Sequence, residues 1–127
     1  MAFVGIVLIS HSSHIAEGTK ELIRQVMKEV PIETAGGTDE GEIGTSIEKI
    51  NAAIEQANQG EGVLLFYDIG SAKMNAEMAI EITGRDDLKL IEAPIVEGSY
   101  VAAVEAGMEK NLDEVYQSVT RSFGKKQ

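Results

Sequence analysis

Both histidines of the chain lie in one short polar segment. His11 and His14 belong to "SHSSH", which follows the apolar run 3–9. A neutral imidazole is a competent nucleophile near neutral pH, but it needs an acceptor on its second ring nitrogen to fix the tautomer. Asp68 follows another apolar run, 62–67, and is the best-placed carboxylate. The pattern predicts His11 as a nucleophile that is oriented by Asp68.

Glycines and small hydroxyl residues follow two of the apolar runs, 31–35 and 62–67. Gly36, Gly37 and Thr38 follow the segment "PIETA", and Ser71 lies three residues after Asp68. Glycine lets the backbone approach a ligand closely, and hydroxyl groups and helix N-termini donate hydrogen bonds to anions. These residues therefore predict a phosphate-binding site beside His11, with phosphohistidine as the intermediate. Neither a Walker A sequence nor a dinucleotide fingerprint is present.

Each of these residues also has a simpler interpretation. His11 and Asp68 can merely cap the helices that follow them, and the glycine segments can be tight turns. His14 is interpreted as exposed or structural. A metal site on His11 and His14 is not predicted, because the pattern supplies no third ligand.

Four apolar segments alternate with helical patterns along the chain. Strands are predicted at 3–9, 31–35, 62–67 and 88–92, with 31–35 nearer an edge of the sheet. This order predicts an α/β fold with an open, mainly parallel four-stranded sheet and helices on both faces. We interpret residues 1–127 as a single domain with a frayed tail. Ligands of such sheets bind at the carboxyl ends of the strands, near the point where strand order reverses.

The helices are predicted from apolar residues at helical spacing. Thr45 and Glu48 form a predicted capping box before the second helix. The third helix is predicted to end at Gly84, the fourth near Gly107, and the fifth to carry Asp113 and Glu114 in its first turn. The predicted buried stripes are Leu22, Ile23, Val26, Met27 and Val30; Ile47, Ile50 and Ile54; Met74, Met78 and Ile82; Val101, Val104 and Met108; and Leu112, Val115, Tyr116 and Val119.

Composition limits the classes of partner. The 127 residues carry a formal net charge of −10 and 43% hydrophobic residues, with no cysteine. The acidity argues against nucleic acids and anionic membrane surfaces, and the hydrophobic content excludes global disorder. The absence of cysteine excludes disulfides and thiolate metal sites. No apolar run is long enough to span a bilayer, so a cytoplasmic location is expected.

Four segments together resemble one known family. They are "VLISHSSHIAEG", "AGGTDEGEIGTS", "VLLFYDIGSAKMNAEMA" and "APIVEGSYVAAV". They resemble the phosphotransferase subunits of phosphoenolpyruvate-dependent dihydroxyacetone kinases, the DhaM family, which is similar to the mannose-type IIA domains of the sugar phosphotransferase system. The resemblance implies a cytoplasmic homodimer with the mannose-type IIA fold. It also implies phosphate on Nε2 of His11, with Asp68 supporting the ring.

The family resemblance further implies a chain of partners. Phosphate would pass from phosphoenolpyruvate through enzyme I and HPr to His11, and then to ADP held with Mg²⁺ on the subunit DhaL. DhaL would phosphorylate dihydroxyacetone bound to DhaK. No cofactor would be bound permanently to this chain. Because the pattern shows one domain and no IIB-like region, we expect separate carriers to supply the phosphate.

Three alternatives remain open from the sequence. The chain can be a mannose-family IIA domain that phosphorylates a IIB sugar-transport component. It can be a non-catalytic binding module, for which the acidic surface matters and His11 does not. It can also be a receiver-like domain phosphorylated on Asp68, although the first strand ends in Ser10 and His11 rather than in the acidic Mg²⁺ pocket that such domains need.

Overall fold

A computed structural model describes residues 2–123, so the predicted frayed tail at 124–127 lies outside the described residues. Four strands and five helices follow one another in the predicted order. The elements are β1 (Gly5–Ser10), α1 (Ser13–Arg24), β2 (Ile32–Gly36), α2 (Ile47–Ala57), β3 (Val63–Tyr67), α3 (Gly70–Thr83), β4 (Leu88–Leu90), α4 (Ile95–Gly107) and α5 (Leu112–Phe123).

The sheet is parallel throughout, with strand order β2-β1-β3-β4. β1 is buried at every position, which explains why its sequence is continuously apolar rather than alternating. β2 forms one edge, as predicted. The chain passes from β1 to β2 on one side and then returns to β3 on the other, so strand order reverses between β1 and β3. The carboxyl ends of these two strands therefore flank the expected ligand crevice.

Helices cover both faces of the sheet, and this α/β architecture confirms the predicted fold class. One core packs α1, α4 and α5 against every second residue of β1, including Ile6 and Leu8. The other core joins α2 and α3 to Val7 and Ile9 on the opposite face. Alternation along β1 thus divides its side chains between the two layers.

The predicted buried stripe on α3 is wrong. Met74, Met78 and Ile82 are exposed, and Met74 retains 72% of its accessible surface. The buried face of α3 consists of small residues, namely Ala72, Ala76 and Ala79. Alanine allows the helix axis to approach the sheet closely, so the large apolar residues point away from the core.

The predicted stripe on α4 is wrong for the same reason. Met108 is exposed, and Val101 and Val104 are only half-buried. The fully or nearly fully buried residues of α4 are all small: Gly98, Ser99, Ala102, Ala103 and Ala106.

Two further helix predictions are wrong in part. α1 ends at Arg24, so Val26, Met27 and Val30 of its predicted stripe lie beyond the helix; within it Ile23 is buried and Leu22 is exposed. The N-cap of α2 is Ser46, whose Oγ accepts from the Lys49 N–H, so the predicted capping box of Thr45 and Glu48 is wrong. Thr45 Oγ1 instead accepts from Asn75 Nδ2 on α3.

Among residues 2–123, none of the helices is both long enough and apolar enough to cross a membrane.

Candidate active site

His11 stands one residue beyond the carboxyl end of β1. Its position is set on both sides, because Ser12 caps α1 by accepting from the Ile15 N–H, and the His11 carbonyl accepts from the Gly44 N–H at 2.8 Å. His11 is therefore held between the first turn of α1 and the loop that follows β2. Its side chain retains 20% exposure, so the ring remains accessible from solvent.

Asp68 stands one residue beyond the carboxyl end of β3 and meets His11 across the crevice. The Nδ1 atom of His11 and the Oδ1 atom of Asp68 are 3.0 Å apart. The parallel register pairs Ile9 with Tyr67, and continuing it by one step brings these two strand ends together. The structure thus brings together the two residues that the sequence analysis selected from segments 57 residues apart.

The Asp68 carboxylate accepts four hydrogen bonds. Oδ1 accepts from His11 Nδ1 and from the Ile69 N–H at 2.7 Å. Oδ2 accepts from Ser10 Oγ at 2.8 Å and from the His11 N–H at 3.0 Å. Burial alone would raise the pKa of Asp68, but the hydrogen bonds from Ser10, His11 and Ile69 together lower it below its ordinary value. Asp68 is therefore a carboxylate at neutral pH.

The ionised state of Asp68 decides the tautomer of the neutral His11 ring. A carboxylate can only accept hydrogen bonds, so the proton of the neutral ring lies on Nδ1. Nε2 then carries the lone pair, and it is 2.7 Å from Ser71 Oγ. The Ser71 hydroxyl must be the donor in this contact. The nucleophilic nitrogen consequently faces the start of α3.

The N-terminus of α3 adds backbone donors to this region. Its first residues are Gly70 and Ser71, and the cap residue Ile69 provides no side-chain hydrogen bond. The first N–H groups of a helix have no partner within the helix, and the helix dipole makes this end electropositive. An anion attached to Nε2 would therefore lie beside electropositive backbone as well as the Ser71 hydroxyl.

The loop after β2 is arranged differently from its prediction as a set of phosphate donors. The Gly37 N–H donates to the Ser10 carbonyl at 3.1 Å, and the Thr38 N–H donates to the Glu42 carbonyl at 2.9 Å. Thr38 Oγ1 accepts from the Glu42 N–H. Gly36 packs against the start of α1, where a Cβ atom would lie 2.7 Å from Ser13 Cα. These backbone donors are occupied, so the loop contributes a wall that holds His11.

Sequence reasoning missed Ser10 as a residue of the site. Ser10 is fully buried and binds Asp68, and the available signal was a polar residue at the end of an otherwise apolar strand. His14 is exposed on the first turn of α1, as interpreted. Within residues 2–123, His, Asp and Glu side chains form no group of three that could hold a metal ion.

A crevice borders the site on the side of β4. It has a volume of about 370 Å³ and is lined in part by Asp68, Gly70, Glu92 and Pro94. The loop after β4 thus forms one side of the approach to the histidine–aspartate pair.

Fold and site together define a class of protein. It is an open parallel α/β domain with an accessible histidine at the point of strand reversal, and a neighbouring carboxylate fixes the tautomer of that histidine. This arrangement is suited to nucleophilic chemistry on Nε2 of that histidine.

Comparisons with known proteins identify the family. The model of the EIIA-man family, described as "PTS system fructose IIA component", matches residues 5–116. The phosphoryl donor subunit DhaM of PEP-dependent dihydroxyacetone kinase 1 from Listeria innocua is 44% identical over 111 residues, which cover 87% of this chain and 88% of that protein. The phosphotransferase subunit DhaM from Lactococcus lactis is 44% identical over 105 residues, covering 81% and 84%. The chain belongs to the EIIA-man family and, within it, to the DhaM-type proteins.

A solved structure shares the fold of this chain. The crystal structure of EF1359, a protein of unknown function, superimposes with a TM-score of 0.85 at 33% identity, covering 99% of this chain and 98% of that one. The family resemblance predicted from the four sequence segments is confirmed.

Proposed function

We propose that this chain is the phosphocarrier subunit of a phosphoenolpyruvate-dependent dihydroxyacetone kinase, and that Nε2 of His11 carries the phosphoryl group. The observation that carries the proposal is the His11 ring itself. Asp68 holds the proton on Nδ1, which leaves the Nε2 lone pair facing the N-terminus of α3. Similarity to the DhaM proteins of Listeria innocua and Lactococcus lactis supplies the reaction class.

In the first step, the Nε2 lone pair of His11 attacks the phosphorus of phospho-HPr. The new P–Nε2 bond forms as the P–N bond of the donor breaks, and that electron pair returns to the ring of the donor histidine. Positive charge develops on the His11 ring as Nε2 becomes bonded. The Asp68 carboxylate, 3.0 Å from Nδ1, stabilises this charge without taking the proton.

The phosphoryl group then resides at the start of α3. The Ser71 hydroxyl, which donates to Nε2 before the reaction, can turn to donate to a phosphoryl oxygen. The N–H groups of Gly70 and Ser71 and the helix dipole add electrostatic stabilisation. In this proposal Gly36, Gly37 and Thr38 shape the pocket rather than donate to the phosphate.

In the second step, a β-phosphate oxygen of ADP on DhaL attacks the phosphorus. The P–Nε2 bond breaks and its electron pair returns to Nε2, which regenerates the neutral ring. Any Mg²⁺ would accompany the nucleotide on DhaL, and this chain would act as a homodimer that reaches DhaK only indirectly, through DhaL. The acidic surface would favour partners with basic docking faces.

The two histidines provide the decisive experiment. Wild type, His11→Ala and His14→Ala are incubated with enzyme I, HPr and labelled phosphoenolpyruvate. We expect acid-labile label on wild type and on His14→Ala, and none on His11→Ala. Absence of label on wild type, or equal label on His11→Ala, would contradict the proposal and favour a binding module or phosphorylation of Asp68.

A chase experiment separates the two phosphocarrier functions. Labelled protein is mixed either with DhaL carrying ADP or with a mannose-family IIB domain. Transfer of label to ADP on DhaL is expected. Transfer to the IIB domain alone would assign the chain to sugar transport.

A further inference from the structure

Ser10 is a buried polar residue at the centre of the site, and the proposed transfer steps do not use it directly. It ends β1, where the preceding residues Ile6, Val7, Leu8 and Ile9 are apolar, and it is fully buried. A buried hydroxyl costs free energy unless it is hydrogen-bonded, so its partners indicate what it does. The two hydrogen bonds of its hydroxyl go to Asp68 and to the Ser12 N–H, both next to His11.

Ser10 joins the aspartate to the start of α1. Its hydroxyl donates to Asp68 Oδ2 at 2.8 Å, and its Oγ accepts from the Ser12 N–H at 3.0 Å. The direction of the first bond is certain, because an ionised carboxylate only accepts. The strand register explains the contact, since Ile9 pairs with Tyr67 and the next step places Ser10 beside Asp68.

The two oxygens of Asp68 have different tasks. Oδ1 faces the His11 ring, whereas Oδ2 faces Ser10 and the His11 N–H. Ser10 is the only side chain besides His11 among the four donors to this carboxylate. It therefore limits rotation of the carboxylate and keeps Oδ1 aimed at Nδ1.

We propose that Ser10 is a positioning residue that holds the Asp68 carboxylate in the orientation which keeps the His11 proton on Nδ1. This inference rests on the proposed function, because the Nε2 lone pair is its purpose. The hydrogen bond from Ser10 also contributes to lowering the pKa of Asp68, although burial acts in the opposite direction. Loss of the hydroxyl would loosen the carboxylate and favour its protonation.

The inference can be tested on the free protein without any transfer reaction. The chain has two histidines, so ¹⁵N-histidine labelling gives one ring at the site and one exposed reference ring, His14. The variants are Ser10→Ala and, as a matched control, Ser99→Ala. Ser99 is equally buried, but its hydroxyl donates to the Ile95 carbonyl within α4.

We expect Ser10→Ala to increase the ratio of the Nε2–H to the Nδ1–H tautomer of neutral His11 by about tenfold, the factor that corresponds to about 1.4 kcal/mol. The titration of Asp68, followed by carboxyl ¹³C shifts, should move to higher pH. Ser99→Ala should change neither quantity. Phosphorylation of Ser10→Ala by phospho-HPr should also slow, because a loosened Asp68 carboxylate stabilises the positive charge on the His11 ring less well.

Unchanged His11 shifts in Ser10→Ala, or an equal change in Ser99→Ala, would overturn the inference even if His11 carries phosphate. Conversely, a tautomer shift in a protein that never accepts phosphate would support the role of Ser10 and refute the proposed function. Ser10→Cys preserves the shape and weakens the donor, so it should shift the ratio in the same direction by less. If neither variant folds, a slowly exchanging Ser10 hydroxyl proton in the wild-type spectrum is required, and its absence would overturn the inference.

Discussion

The loops after β3 and β2 lie at the same edge of the sheet but use their polar groups in opposite ways. After β3, Asp68 and Ser71 direct their side chains to the two nitrogens of His11. After β2, Gly37 and Thr38 direct their N–H groups to carbonyls of the chain itself. Glycines and hydroxyl residues are common to both loops, so residue type alone does not distinguish a reactive loop from a supporting one.

Position relative to the strand reversal explains the difference. β3 lies on one side of the crevice next to β1, and its end opens toward His11. β2 is an edge strand whose following loop folds back, and it is closed by the bond between the Gly44 N–H and the His11 carbonyl. In the proposed function, the segment after β3 takes part in phosphoryl transfer, whereas the loop after β2 holds His11 in place.

The largest effect is expected for Asp68→Asn. Each carboxylate oxygen accepts a backbone N–H, so an amide must place its NH₂ group against an N–H donor in either orientation. We expect transfer from phospho-HPr to fall by about 100-fold. Asp39→Asn, in the loop after β2, is the control and should retain most of the rate. Equal losses of transfer rate in both variants would contradict the different roles assigned to the two loops.

We also expect the effect of Asp68→Asn on stability to depend on pH. The pKa of Asp68 is lower in the folded state than its ordinary value of 3.8. Its stabilising contribution is therefore complete at neutral pH and is lost as the pH falls through the lowered folded pKa. Urea denaturation at pH 7 and near pH 3 should show a smaller gap between wild type and Asp68→Asn at the lower pH. A constant gap would contradict this sign.

The next effect compares two glycines, one at the end of β2 and one at the start of α3. In Gly36→Ala the new Cβ would lie 2.7 Å from Ser13 Cα and 3.0 Å from the Ser12 carbonyl oxygen, both backbone atoms. We expect the free energy of unfolding to fall by about 1–3 kcal/mol. Gly70→Ala, at the first residue of α3, meets no atom within 4 Å and should leave that free energy unchanged or slightly higher. Urea denaturation measures both, and equal losses would show that the end of β2 is not packed more tightly than the start of α3.

The smallest effect compares two hydroxyl groups. Ser71→Ala removes the donor to Nε2 of His11, and we expect transfer to slow by about tenfold. Thr38→Val removes an acceptor that serves only the Glu42 N–H, so it should cost about 1 kcal/mol of stability and leave the transfer rate unchanged. Rapid-quench measurement of label transfer distinguishes them. If Thr38→Val slowed label transfer without loss of stability, the loop after β2 would bind phosphate directly.

Prediction from sequence succeeded where a run of apolar residues reflects the burial of a whole strand. Apolar runs located all four strands, and alternation with helices predicted the parallel sheet. It failed where the buried face of a helix depends on how closely the helix approaches the sheet. Met74, Met78 and Ile82 have helical spacing, but α3 buries Ala72, Ala76 and Ala79 because a close approach to the sheet accommodates only small side chains. The N-cap of α2 is Ser46 rather than the predicted Thr45, and Thr45 Oγ1 accepts from Asn75 on α3, a contact between helices that no local pattern encodes.

From the sequence alone, His11 and Asp68 are expected at the same edge of the sheet. The apolar runs 3–9 and 62–67 end two residues before His11 and one residue before Asp68, and parallel strands end at the same edge. That β1 and β3 are neighbours is seen only in the folded sheet. The hydrogen-bond partners at this edge are seen only in the folded chain. The backbone N–H groups of Gly37 and Thr38 are bonded within the chain, and Ser10 donates to Asp68, because such partners depend on strand register and loop closure, which no local pattern encodes.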